Sequence, residues 1–270
     1  MAATTWGGSD FAGGVGARRA PALLVVASGH LVTLLFLLTV CFCGHLPLPH
    51  RTEFLEGAIG GVEGSLALAA FYQALSMGTM GLTAALTGLL TALVPILFGL
   101  WQEGLPAPLA IAGLLLGCLA IWLIAHTPGD TTLPAALWLG ALSGAGFGLQ
   151  LILFKLASQG GVLWALTSAR MGGVAGMGTI LLFAWPRANG HRVWSGFWWI
   201  GIIAGGLDTL GNLGYTLAAR NGRLDIAAMV SSLYPGVTIL LATIFLGERA
   251  SRRQTLGMAV ALASVILMSL

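Results

Sequence analysis

Four ionisable residues stand inside long apolar stretches of the chain: Asp10, Glu63, Arg170 and Asp208. Desolvation disfavours the charged form of a carboxylate, so an acid in such surroundings binds a cation, exchanges a proton or is neutralised by a partner. Asp208, together with Glu63, is the first candidate for this chemistry, because the two lie at nearly matched distances ahead of Tyr215 and Tyr72. Asp10 is the third. The competing reading makes Asp208 a tie between helices, neutralised by Arg170 or by hydrogen bonds. Arg170 carries a fork that suits a substrate carboxylate, yet pairing with a nearby acid is the stronger expectation. Trp6, Tyr72, Gln150, Asn212 and Tyr215 are candidates to line a cavity, since aromatic faces with a few amides suit amphipathic or amino-acid-like solutes. Packing against a neighbouring helix would serve each of them equally well. Glu103 and Glu248 close apolar runs, where solvated or capping roles are expected, and Lys155 is near enough to a helix end to snorkel.

The elements that must position these groups follow from composition. Of 270 residues, 57% are hydrophobic and 8% charged, and the mean hydropathy is +0.92. A soluble domain carries about 25% charged residues, so lipid must surround most of this chain. Most Lys and Arg residues fall in short breaks between apolar runs, which makes the net charge of +3 a loop property. No segment joins a basic patch to interleaved aromatics, so nucleic-acid binding is excluded. Cys41, Cys43 and Cys118 all lie in apolar runs; with no histidine near enough to complete a site, they read as small packing residues and no metal is expected.

A helix crossing the hydrocarbon core needs about 20 mainly apolar residues. That ruler predicts spans near 2–17, 20–43, 57–78, 81–101 and 107–126, then 134–157, 161–185, 194–219, 224–246 and 253–270. The first is short, glycine-rich and lacks a leucine-rich run ahead of Trp6, which reads as a helix whose start lies upstream, with a genuinely short helix as the alternative. Pro95 and Pro235 are candidates to loosen their helices where a bundle flexes, because each removes a backbone donor; a static kink is the alternative. Trp194, Trp198 and Trp199 look like interfacial anchors. Glycines four apart, such as Gly140, Gly144 and Gly148 or Gly172 and Gly176, predict close helix crossings.

The chain also repeats itself. An offset of 140 residues lays Trp6 to His30 on Gly146 to Arg170, so that Asp10 meets Gln150 and His30 meets Arg170. Farther on, Phe71-Tyr72-Gln73-Ala74-Leu75 resembles Gly214-Tyr215-Thr216-Leu217-Ala218, and each leads to a proline-bearing span that ends near Glu103 or Glu248. The predicted architecture is therefore an all-α integral membrane bundle of ten helices, in two five-helix repeats over 1–126 and 134–270. Five crossings per repeat is odd, so the second copy enters from the opposite side of the membrane. Inverted repeats of this kind are a familiar plan of secondary transporters, with substrate held between the halves and exposed to each side in turn.

Residues 6–11, Trp-Gly-Gly-Ser-Asp-Phe, the Ala-Arg-Arg-Ala-Pro run at 17–21 and the Leu-Gly-Glu-Arg end of the ninth span resemble the EamA-type transporters of the drug/metabolite transporter superfamily. The resemblance covers nearly the whole chain. It implies ten helices in two inverted halves, a central cavity lined from both, and export of amino acids or other metabolites from a bacterial-type inner membrane. Expected partners are a small-molecule substrate, membrane lipid and protons, with no cofactor. Seven arginines in the loops after spans one, seven and nine, against three after spans two and eight, put both termini outside; the resemblance puts them inside. No Walker-type phosphate loop is present, so ATP is not used directly. The alternative is a membrane-embedded enzyme using intramembrane carboxylates. It lacks a zinc or serine motif and leaves the inverted repeat without a reason.

Overall fold

The structure, a computed structural model, describes residues 1–77, 80–125, 134–184, 196–247 and 251–269. It is built of α1 (Ala2–Ala17), α2 (Ala22–Cys43), α3 (Arg51–Ser76), α4 (Met80–Glu103), α5 (Pro108–Ala125), α6 (Pro134–Ala157), α7 (Val162–Ala184), α8 (Phe197–Asn221), α9 (Leu224–Ser231), α10 (Tyr234–Leu246) and α11 (Arg252–Ser269). Glu248, Trp194, Arg187, Arg192 and Arg249 lie outside the described residues. By length and hydropathy alone, five described segments suffice to cross a membrane: Ala22–Cys43, Arg51–Ser76, Leu86–Glu103, Pro134–Gly160 and Leu224–Leu246. The others pack within the same bundle. α1, with 16 residues, is about 24 Å long against a hydrocarbon core of about 30 Å. Large apolar side chains stand outward all round, among them Phe36, Trp101, Trp138 and Ile244, as a surface bathed in lipid requires. Trp198 and Trp199 are exposed at the start of α8.

Two spans differ from expectation. α3 begins at Arg51, where the sequence predicts 57, because its first turn carries charge and lies outside the apolar run. The predicted span 224–246 is broken in two, with Ser232 and Leu233 in a turn between α9 and α10. Pro235 sits in the first turn of α10, a position where its missing N–H leaves no helical bond unmade. Its counterpart Pro95 stays inside a continuous α4. The two prolines thus differ in consequence: one starts a helix and the other lies inside one.

Packing between the halves is exchangeable. α3 packs on α6 and α7, and α8 packs in the same way on α1 and α2. α4 meets α6 as α10 meets α1, while α2 pairs with α7 and α5 with α11. Glycines make the closest of these crossings. A Cβ on Gly61 would stand 1.8 Å from the Ala169 carbonyl oxygen, and one on Gly172 would stand 2.0 Å from that of Ala58. The matching α2–α8 crossing sets Gly29 against Gly201 and Gly205. In lipid no hydrophobic drive joins helices, so backbone approach through such positions supplies the contact energy.

Gly61→Ala is expected to lower stability by about 1–3 kcal/mol, the usual cost of overpacking a tight contact. The clash is with backbone, which cannot swing aside. The thermal unfolding midpoint in detergent reads the loss, and Gly178→Ala, where nothing lies within 4 Å, is the control that should hardly move.

Candidate functional site

Residues one helical turn apart share a face, and this places the polar groups of the bundle centre. Trp6 and Asp10 share a face of α1, and Asp208 and Asn212 share one of α8. With Phe147, Gln150 and Leu151 of α6, Leu68 of α3, Thr91 of α4 and Tyr234 of α10, they enclose a cavity of about 360 Å³. Five of the nine candidate binding residues thus meet there: Trp6, Asp10, Gln150, Asp208 and Asn212. Asp10 and Gln150, matched by the repeat, are both in the wall. Trp6 crosses the Tyr234 ring edge-on at 6.3 Å, and Phe71 does the same to Phe147 at 5.8 Å, so the polar groups are set in an aromatic frame.

One wall is a continuous hydrogen-bonded chain. Trp6 Nε1 donates to Asn212 Oδ1 at 3.1 Å, and Asn212 Nδ2 donates to Asp208 Oδ2 at 3.1 Å. Behind Asp208, Arg170 Nη2 donates to the same oxygen at 2.5 Å and to Thr209 Oγ1 at 2.8 Å. Arg170 Nη1 lies 2.6 Å from His30 Nε2, and His30 Nδ1 lies 3.1 Å from Ser65 Oγ. A guanidinium only donates, so His30 Nε2 accepts. The ring is then the neutral tautomer with its proton on Nδ1, donating to Ser65, whose hydroxyl passes on to the Gly61 carbonyl at 2.5 Å. Five helices are joined by this chain. Arg170 is 5% exposed and does not reach the cavity, which favours the tie over the substrate fork.

His30 and Arg170, matched by the offset of 140, touch each other directly. In two halves related by a twofold axis, matched residues would meet only where that axis passes. The same logic identifies Asp208's true counterpart, which is Ser65: each stands seven residues before its tyrosine, Tyr215 or Tyr72, and each bonds one of the paired residues at the axis.

Glu63 is elsewhere. It is two residues from Ser65, about 200° round the helix, and it faces a groove on the outside of the bundle between α3 and α6. The expectation that Glu63 joins Asp208 at the centre is corrected by this rotation. Tyr72 and Tyr215 lie one layer behind the cavity wall. Tyr72 meets Ser9 Oγ at 3.0 Å, and Ser9 donates to the Ala204 carbonyl at 2.9 Å, joining α1, α3 and α8. Tyr215 donates to the Leu151 carbonyl at 2.8 Å and packs on Trp6. Leu68, Thr91, Phe147, Leu151 and Tyr234 were not legible as cavity residues; the one available signal was the neighbourhood of Tyr234 and Pro235.

The charge balance of the cavity is uneven. Asp208 is neutralised by Arg170, whereas Asp10, 6% exposed, keeps Oδ2 buried without a hydrogen-bond partner. No Lys or Arg lines the cavity among the described residues. Nor do three or more His, Cys, Asp or Glu residues gather to hold a metal ion among them.

A second charged cluster ties one end of the bundle. Glu103 at the end of α4 pairs with Lys155 of α6, and its Oε2 accepts from the backbone N–H of Leu224 at 3.2 Å. It thereby caps the start of α9 from across the bundle. Arg223 grips the fully buried Asp225 through Nε and Nη2 at 3.1 and 2.9 Å, and donates to the Gly104 carbonyl at 2.6 Å.

Comparison with known proteins gives three results. The model of the EamA-like transporter family matches residues 134–270. A solved crystal structure of a protein superposes with a TM-score of 0.68 at 15% identity, covering 99% of this chain and 94% of the other; at that identity the likeness concerns the fold alone. No curated protein matches. With half of its length matched by the family model and an all-helical bundle of the expected kind, the chain belongs to the EamA-like transporter family, multi-pass membrane transporters of the drug/metabolite transporter superfamily.

Proposed function

We propose that the chain is a secondary transporter that moves small amphipathic cations by alternating access, with proton exchange at a central carboxylate. The observation that carries this reading is the unpartnered Asp10 carboxylate in a cavity framed by Trp6, Phe147 and Tyr234. A buried acid without a partner needs a positive charge, and the ring faces favour a cationic head. Of the two solute classes that the sequence suggests, amino-acid-like solutes fit less well: a substrate carboxylate would meet Asp10 and Asp208 with Arg170 already bonded to Asp208 and held behind the wall. The halves 1–126 and 134–270 would rock about the axis marked by His30 and Arg170. Export from a bacterial-type inner membrane is the direction and place that the family resemblance implies.

Counterflow in proteoliposomes tests the proposal, with labelled amino acids and lipophilic cations, each with and without a pH gradient. Saturable exchange of the cation, accelerated by the gradient, is the expected result. Exchange of amino acids alone would overturn the cation reading, and exchange of neither by a folded preparation would overturn both.

A further inference from the structure

A groove runs between α3 and α6 on the outside of the bundle, and Glu63 is the one ionisable residue in its lining among the described residues. Ile59, Leu66 and Leu142, which line it, are exposed to the surroundings of the bundle. Glu63 stands midway along the 26-residue α3, about 18 Å from either end at 1.5 Å per residue. Its Oε2 is buried with no hydrogen-bond partner, and its Oε1 lies over Gly146, where a Cβ would come within 2.3 Å. A lone carboxylate at that depth, facing lipid, calls for a compensating positive charge.

We propose that this groove is a membrane-side binding site for a lipophilic organic cation, held by Glu63 with its apolar groups against Ile59, Leu66 and Leu142. Three features select this occupant. Phospholipid headgroups stay at the membrane surface, far from the middle of α3, whereas a cation whose charge is spread over apolar groups enters the hydrocarbon. A second copy packing its own α3–α6 face on the groove brings no positive charge to this level, since α3 and α6 carry only Arg51 and Lys155, both near helix ends. A symmetric contact across the groove would set two Glu63 carboxylates together. The site is independent of the central cavity, though close to it, since Ala67 lines the groove and its neighbour Leu68 lines the cavity.

The test is equilibrium binding of labelled tetraphenylphosphonium to the full chain in lipid nanodiscs. Wild type is expected to bind it in the groove and in the cavity. Glu63→Gln should remove the groove's share, weakening it by about tenfold or more. Leu142→Trp, which fills the groove and leaves the carboxylate intact, should do the same; it guards against a Glu63→Gln variant that merely misfolds. Binding lost with Asp10→Asn but untouched by both groove variants would overturn this site and leave the central one standing. Binding lost with the groove variants and retained in Asp10→Asn would support this site and count against the central one. An Ile59→Cys and Leu142→Cys pair that cross-links between copies, unprotected by the cation, would show a second copy in its place and overturn this occupant.

Discussion

Arg170→Leu is expected to lower the stability of the protein by about 3–5 kcal/mol, the cost of removing one partner from a buried ion pair. Arg170 is the central link of the chain from Trp6 to Ser65, and its two terminal nitrogens serve Asp208, Thr209 and His30. Without it Asp208 keeps only the Asn212 amide, and the Nε2 lone pair of His30 loses its donor. Most of the penalty comes from the carboxylate left uncompensated, so Arg170→Leu with Asp208→Leu should recover much of it. Arg170→Lys should recover less, because one ammonium cannot reproduce a fork that reaches three acceptors. Unfolding in detergent of the wild type, both single variants and the double variant gives the coupling between the two residues. A double variant as unstable as the sum of the singles would show that the pair is not the tie described.

How much of this was legible in the sequence depends on what lipid does to side-chain patterns. Charged residues stand out, because each is costly in an apolar run, and Asp10, Arg170 and Asp208 all proved central to the bundle. The offset of 140 pairs His30 with Arg170 and Asp10 with Gln150, and each pair stands close together in the bundle. Cavity walls made of Leu68, Phe147 and Thr91 were not legible, since in a membrane an apolar side chain facing lipid, a neighbour or a cavity has the same composition. Soluble helices betray their inner face by polarity, and that contrast is missing here. The Glu63 assignment failed through register: a difference of two residues is small along the chain and turns the side chain to the opposite face of the helix. Counting from the tyrosines would have selected Ser65, but a serine carries no charge to draw attention. The break at Ser232 and Leu233 was half legible, because Pro95 and Pro235 look alike in sequence and only one begins a new helix.

Asp10→Asn is expected to abolish proton-driven cation accumulation while leaving the fold intact. Asn has the shape of Asp, and Asp10 Oδ2 has no hydrogen-bond partner to lose, so the unfolding midpoint should stay near that of wild type. Asp208→Asn differs in this respect, because it strips Arg170 of its counter-charge; any transport defect there is mixed with a loss of stability. In proteoliposomes with an acidic interior, protons leaving through the wild-type protein should drive labelled cation inward above its equilibrium level. With Asn at position 10 there is no proton to exchange and no charge to hold the cation. Accumulation should fall to the level of empty vesicles, and the affinity measured by counterflow should weaken by about tenfold or more. The sign of the gradient matters: an alkaline interior should drive the cation outward in wild type and have no effect on the variant. If Asp10→Asn still accumulated cation while Asp208→Asn, folded, did not, the exchangeable proton would belong to Asp208, and the bond to Arg170 would have to open during each transport cycle.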